Sequence, residues 1–204
     1  MTTIGVLALQ GDFREHIRAV EDLGVSTVPV RRPQEIPGLD GLIIPGGEST
    51  AIDKLSRSFE VAEPIKDAIS NGLPVYGSCA GMIMLADKIV DPAFDLKGNP
   101  QQTFGGIDMS VRRNAFGRQV DSFEEDLDFK GLEKPIKTVF IRAPWVESVG
   151  EDVEVLASVP VPTLNATRIV AVRSRNLLAT SFHPEVSGER RVHELFIKII
   201  RGEA

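Results

Sequence analysis

The sequence predicts an α/β fold: a mostly parallel central sheet flanked by helices, with added antiparallel strands in the second half. Three observations carry that expectation. In the first half, apolar runs of strand length alternate with segments of helical periodicity. Strand–helix–strand alternation implies parallel strands joined by crossover helices. In the second half, six strand-like segments follow one another closely, the arrangement of antiparallel pairing. The chain then closes on an amphipathic stripe of helical period.

Residues 4–9 form a short apolar run without alternation, as expected of a strand buried on both faces. Phe13, Ile17, Val20 and Leu23 lie on one helical stripe. Asp12 and Glu15 have the spacing of a capping box, and Gly24 is placed to end the helix. Residues 25–30 and 42–45 read as the second and third strands. Residues 51–55 and 61–69 read as helices, stopped by Asn71-Gly72. Residues 74–77 give a fourth strand, followed by a helix over 82–85. Residues 92–104, with Gly98, Asn99 and Pro100, read as a surface loop. The later strands are 107–113, 119–123, 138–142, 153–159, 168–173 and 177–182, with Ser174-Arg175-Asn176 as a hairpin turn. Val192, Leu195, Phe196, Ile199 and Ile200 recur at i, i+3, i+4, i+7 and i+8, an amphipathic closing helix. No repeat or linker interrupts the pattern, so a single domain over residues 1–204 is expected.

Composition narrows the class without naming a chemistry. The 204 residues carry a net charge of −6, with 42% hydrophobic and 25% charged residues, ordinary for a soluble globule. An acidic balance argues against a nucleic-acid partner. One cysteine can form neither an intramolecular disulfide nor a cysteine-based metal site, and it favours a reducing compartment. No cation precedes Arg14, so no secretory leader is expected. The uncharged run 68–86 is broken by Asn71, Pro74, Gly77 and Gly81 and reads as turn–strand–turn rather than a membrane span. The expectation is a cytoplasmic protein with no membrane partner.

The sharpest chemical feature is Gly77-Ser78-Cys79-Ala80-Gly81 between a strand and a helix. This is the thiol form of a nucleophile elbow, in which the residues two before and two after the nucleophile must be small. A thiol near a helix N-terminus is also favoured as thiolate. Such a nucleophile needs a base, and the base an orienting group. His16 and His193 read as solvated helix residues. His183 ends a strand and precedes Pro184 and Glu185; in an extended chain residues i and i+2 face the same way, so His183 and Glu185 would share a cleft. The loop Pro45-Gly46-Gly47-Glu48-Ser49-Thr50 follows the third strand. Its glycines let backbone N–H groups approach a ligand. It could equally be a tight turn, whereas a phosphate loop would continue into G-K-[ST].

These residues resemble the class I (triad-type) glutamine amidotransferases, through Gly77-Ser78-Cys79-Ala80-Gly81 and Phe182-His183-Pro184-Glu185. Within that class the chain is most similar to the glutaminase subunits of pyridoxal 5′-phosphate synthase. That narrower likeness rests on Gly5-Val6-Leu7-Ala8-Leu9-Gln10-Gly11-Asp12 with Glu15-His16, on Pro45-Gly46-Gly47-Glu48-Ser49-Thr50, and on Arg113-Asn114-Ala115-Phe116-Gly117-Arg118-Gln119. Asp121-Ser122-Phe123 and Phe140-Ile141-Arg142-Ala143-Pro144 extend it. Residues 91–104 depart from the pattern by their length.

The resemblance implies a flavodoxin-like sheet and a catalytic triad of Cys79, His183 and Glu185. It implies an oxyanion hole from the N–H groups of Gly47 and Ala80, and contacts to L-glutamine from Gly47, Glu48, Ser49, Arg113, Ile141 and Arg142. The activity implied is hydrolysis of L-glutamine to L-glutamate and ammonia, with no metal and no cofactor. The partner implied is the synthase (lyase) subunit that receives ammonia to make pyridoxal 5′-phosphate. The alternatives are a glutaminase for another synthase, such as that of histidine biosynthesis, and a non-catalytic cysteine redox or interaction protein. Without the resemblance, Arg113 and Arg142 would read as strand-surface charge.

Overall fold

A computed structural model describes residues 2–116 and 122–204. Its elements run β1 (Thr3–Leu7), α1 (Phe13–Glu21), β2 (Ser26–Val30), β3 (Gly41–Ile44), α2 (Ser49–Ser58), α3 (Ala62–Ser70), β4 (Val75–Ser78) and α4 (Ala80–Leu85). They continue with β5 (Ala86–Ile89), β6 (Ile107–Arg112), β7 (Ser122–Leu127), β8 (Ile136–Ile141), β9 (Trp145–Val149) and β10 (Glu154–Val161). β11 (Ala166–Ser174), β12 (Leu177–Thr180), α5 (Pro184–Ser187) and α6 (Arg191–Arg201) complete the chain.

The main sheet has the order β2-β1-β3-β4-β12-β11-β9-β6-β5, with β10 paired to β11; β7 and β8 form a separate antiparallel pair. The first five strands in that order are mutually parallel, and β11 and β9 add antiparallel neighbours. β12 is the junction, parallel to β4 on one side and antiparallel to β11 on the other. The central strands β1, β3, β4 and β12 are buried on both faces, which is why they lack alternation in the sequence. Leu42 and Ile44 of β3 pack on one side with Ile52, Ile65 and Met82. Ile43, between them, packs on the other with Val20, Phe182 and Phe196. The period of two assigns α2, α3 and α4 to one layer and α1 and α6 to the other.

Several boundaries differ from expectation. Asp12 occupies the N-cap of α1 without a side-chain cap bond, so no capping box forms there. β5 and β9 are additional strands; β5 follows α4 without a break and buries only its two end residues. The expected strand 119–123 lies partly outside the described residues, as do Gly117, Arg118, Gln119 and Asp121; β7 starts at Ser122. The hairpin turn at Ser174-Arg175-Asn176 is present, with Ser174 paired to Leu177 and Arg175 at φ 55°. Residues 92–104 form a loop pinned by a bridge between Phe94 and Pro100.

The elbow requires glycine for want of space. A Cβ on Gly77 would lie 2.4 Å from the Gly81 carbonyl oxygen, and one on Gly81 would lie 2.1 Å from the Ile44 carbonyl oxygen. Both obstacles are backbone, which cannot swing aside like a long side chain. Gly81→Ala is therefore expected to destabilise the fold by about 2–3 kcal/mol, the upper range for overpacking. A urea titration reads this as a lower midpoint; an unchanged midpoint would show that α4 can shift away from β3.

Candidate active site

Cys79 sits between β4 and α4 at φ 51°, ψ −102°, a conformation a side chain adopts only under strain of about 1–3 kcal/mol. Two bonds hold it there. Its N–H donates to the Thr180 carbonyl at 2.7 Å, and its carbonyl accepts from the Ile83 N–H at 3.4 Å. The turn aims the thiol into a cleft of about 340 Å³. Sγ lies 3.9 Å from the Ile141 carbonyl.

His183 lines the same cleft. Its backbone N–H donates to the Val139 carbonyl on β8 at 2.9 Å. Its Nδ1 lies 2.7 Å from Glu185 Oε1. The pair meets as expected, but not through an extended chain. Pro184 sits at the first helical position and starts the single turn α5, so Glu185 reaches back to His183 across a helical turn. Proline's fixed φ and missing N–H favour this. The Glu185 side chain is fully buried. Burial opposes its charge, yet the neighbouring His16 imidazole and the contact with His183 outweigh it and hold the carboxyl at about 2. Burial likewise opposes a charged His183, but its interactions with Cys79 and Glu185 prevail and raise its pKa.

His16 and His193 are not solvated. Both are fully buried, and His16 Nδ1 lies 3.0 Å from His193 Nε2. His16 Nε2 lies 3.4 Å from Glu185 Oε2. The signal was present in the spacing: His16 falls at i+3 from Phe13 and i−4 from Val20, on the apolar stripe of α1. His193 lies three and four residues before Phe196 and Ile197 on the apolar face of α6. Burial lowers the pKa of both, His193 to about 3, with the neighbouring Glu185 pulling the other way.

The cleft gathers Gly47, Glu48, Ser49, Cys79, Ala80, Arg113, Ile141, Arg142 and His183, all singled out from sequence; Glu185 stands behind His183. Gln10 and Asp12 join them without having been assigned a role. Gln10 Oε1 accepts from the Glu48 N–H at 2.9 Å. The Asp12 N–H donates to the Gly46 carbonyl at 3.1 Å, which fixes the Gly46–Gly47 peptide plane. Gly47 has φ 149°, and a Cβ on Gly46 would lie 2.4 Å from His183 Cε1, so both positions demand glycine. Glu48 caps α2, accepting from Thr50 N and Oγ1 at 3.0 and 2.9 Å. Burial opposes its charge, but those bonds and the charges of Arg113 and Arg142 lower its pKa. The loop 91–104 has a role here. Asp91 accepts from the Arg113 N–H at 2.9 Å, and Gln101 Oε1 from the Arg113 guanidinium at 2.6 Å. Asp12, His183 and Glu185 also bring ligand atoms within 4.8 Å of one another, but a cation there would engage the Nδ1 that Glu185 holds.

The profile of the SNO glutamine amidotransferase family matches residues 6–201. The chain belongs to that family. A relative from Arthrobacter sp. (strain FB24), named pyridoxal 5′-phosphate synthase subunit PdxT, is 65% identical over 98% of this chain and 93% of its own. One of the same name from Rhodococcus opacus (strain B4) is 59% identical over 98% of this chain and 97% of its own. A solved structure described as a glutamine amidotransferase is 43% identical and superposes with a TM-score of 0.85, covering 97% of this chain and 98% of the other. No helix among the described residues is long and apolar enough to cross a membrane.

The buried groups set a pH dependence. His193 is held at about 3 against an ordinary 6.5, so below pH 6.5 the unfolded chain takes up a proton that the native chain refuses. His16 acts in the same direction. Glu185, at about 2 against 4.5, adds the same sign below pH 4.5. The contribution of these three groups is therefore complete above pH 6.5 and lost as pH falls, by at most about 1.4 kcal/mol per pH unit for each, whereas the raised His183 contributes stability that is lost as pH climbs above 6.5. Urea midpoints measured downward from pH 7 should decline continuously, and His193→Leu should flatten that slope. A wild-type midpoint independent of pH would contradict the neutral buried histidines.

Proposed function

We propose that this chain, as a single glutaminase domain over residues 1–204, hydrolyses L-glutamine to L-glutamate and ammonia. The ammonia goes to the synthase subunit that makes pyridoxal 5′-phosphate. The observation that carries the reading is the 2.7 Å contact between His183 Nδ1 and Glu185 Oε1 at the wall of the cleft into which Cys79 turns. With Nδ1–H donated to the carboxylate, Nε2 is free to exchange a proton with the thiol.

Cys79 thiolate attacks the side-chain amide carbon of glutamine. The N–H groups of Gly47 and Ala80 hold the oxyanion. His183 protonates the departing nitrogen, ammonia leaves, and a γ-glutamyl thioester remains. His183 then takes a proton from water, which attacks the thioester and releases glutamate and the thiol. Arg113 and Arg142 supply cations for the α-carboxylate of the substrate, and Glu48 an anion for its α-ammonium. No metal or cofactor is called for. A nucleophilic thiol must stay reduced, which supports a cytoplasmic location.

Ammonia released into neutral water becomes ammonium, which is no nucleophile, so the reaction is useful only beside an acceptor. The relatives named as synthase subunits support such a partner here. The Gly46–Gly47 peptide, held here by the Asp12 N–H, offers a means of control: once that bond is released, neither residue has a Cβ to oppose rotation. The test is glutamate formation by wild type and Cys79→Ala, each with and without a purified pyridoxal 5′-phosphate synthase subunit. Wild type is expected to turn over about 100- to 1,000-fold faster with the partner, the worth of one oxyanion donor. Cys79→Ala is expected to be inactive in both settings. Equal wild-type rates would remove the control by docking, and an active Cys79→Ala would overturn the nucleophile.

If the two arginines bind the amino-acid end alike in ground and transition states, Arg113→Ala and Arg142→Ala should raise KM for glutamine more than they lower kcat. Steady-state kinetics on the assembled complex checks this. An unchanged KM in both variants would return these arginines to surface charge.

A further inference from the structure

The second oxygen of Glu185 is the unsolved part of the site. Oε1 is taken by His183. Oε2 is buried with it, and a buried carboxylate without donors is costly. Ser78 Oγ is 3.4 Å away, but its single proton also faces the Phe182 carbonyl, which is closer at 3.2 Å. The carboxylate also takes its own backbone N–H as a donor. The nearest further side chain is His16 Nε2, 3.4 Å from Oε2 but outside hydrogen-bond geometry, a buried nitrogen with no hydrogen-bond partner among the described residues. A donor is wanted on one side and an acceptor on the other.

We propose that His16 is a positioning residue for the reaction: its Nε2–H holds Glu185 Oε2, and His193 fixes the tautomer that places the proton there. The inference rests on the reading of Cys79, His183 and Glu185 as the triad. A neutral imidazole carries one proton. If His16 bears it on Nε2, its Nδ1 is an acceptor, and His193 Nε2 at 3.0 Å must donate. His193 Nδ1 is then bare: it makes no hydrogen bond of ordinary geometry among the described residues, and the Glu189 carbonyl beside it is the acceptor that the opposite tautomer would use. Burial keeps both rings uncharged. Tyr76 packs edge-on against both, with centroids 6.0 and 5.9 Å away, and prevents the rings from turning. The other charges around the pair are Asp12 and Glu15 beside His16 and Arg190 beside His193. The result is a continuous chain, His183–Glu185–His16–His193, that ties the base to α1, α5 and α6. A carboxylate held at both oxygens keeps its plane and so keeps the His183 ring aimed at the thiol.

Two conservative variants separate the arms of His16. The amide of His16→Gln reaches where Nε2 was and keeps the bond to Glu185. That of His16→Asn reaches where Nδ1 was and keeps only the contact with His193. Assayed with the synthase subunit present, His16→Gln should retain most of kcat. His16→Asn should lose about tenfold or more, a part of what a positioned acid–base group contributes. KM should stay within about twofold in both, because neither touches glutamine. Nitrogen-15 NMR of the wild-type full chain near pH 7 should show His16 and His193 both protonated on Nε2. Full kcat in His16→Asn, or equal losses in both variants, would overturn the proposal. So would an Nδ1–H tautomer on His16, the arrangement in which His193 Nδ1–H turns to the Glu189 carbonyl. Should neither variant fold, the tautomer alone decides. A wild type that releases no glutamate beside its partner would overturn the glutaminase reading instead, since the tautomers are read without substrate.

Discussion

The site depends on the pairing of β12 with β4. Ala179 lies opposite Gly77 and Thr180 opposite Ser78. This register sets the chain leaving β12 beside the turn leaving β4, so a base and a nucleophile 104 residues apart in sequence, His183 and Cys79, enter one cleft. A parallel neighbour on the other side, β3, delivers the Gly46–Gly47 loop at the same edge. Strands buried on both faces cannot slip by one residue without exchanging the two halves of the core. The packing of Ile43 against one layer and of Leu42 and Ile44 against the other therefore fixes the geometry of the chemistry as well as the stability of the sheet.

Around that frame, small residues and buried charge do complementary jobs. Gly11, Gly46, Gly77 and Gly81 let backbone approach backbone or imidazole to distances that exclude a Cβ. The strain at Cys79 persists because β12 holds its N–H and α4 its carbonyl. On the far side of His183 the carboxylate is wholly buried, its charge sustained by imidazoles rather than by solvent. The substrate side is more open and is organised by charge: Glu48 between two arginines, with Arg113 steadied by Asp91 and Gln101 of the long loop.

The loop over residues 91–104 shows how a surface segment can serve the site. By sequence, residues 91–104 read only as an insertion at the surface. In the fold their two ends brace a cation of the substrate cleft, while Asp95 closes the tip on itself through Lys97 and Asn99. The tip exposes Phe94 and Leu96, at 66% and 108% of their full accessible area. Insertion length and apolar exposure are properties of the tip; the function belongs to the anchored ends.

The alternation of strands and helices, the elbow at Cys79, the identity of the His183 and Glu185 pair and the glycine loop are all legible in the chain of residues alone. All of these are local: periodicity, turn chemistry and short spacing act within a few residues. The sequence also placed Gly47, Glu48, Ser49, Arg113, Ile141 and Arg142 in one cleft, through their resemblance to a family rather than through physics. The packing of whole elements settles the rest: His183 and Glu185 meet across a helical turn, Asp12 Oδ2 lies 3.5 Å from His183 Nδ1, and His16 and His193 are buried against each other. Those outcomes depend on which helix faces pack together. A histidine on an apolar stripe is ambiguous until the opposing helix supplies its partner, and here α1 and α6 supply each other's. Burial and pairing are properties of the contact between elements, and no single segment contains them.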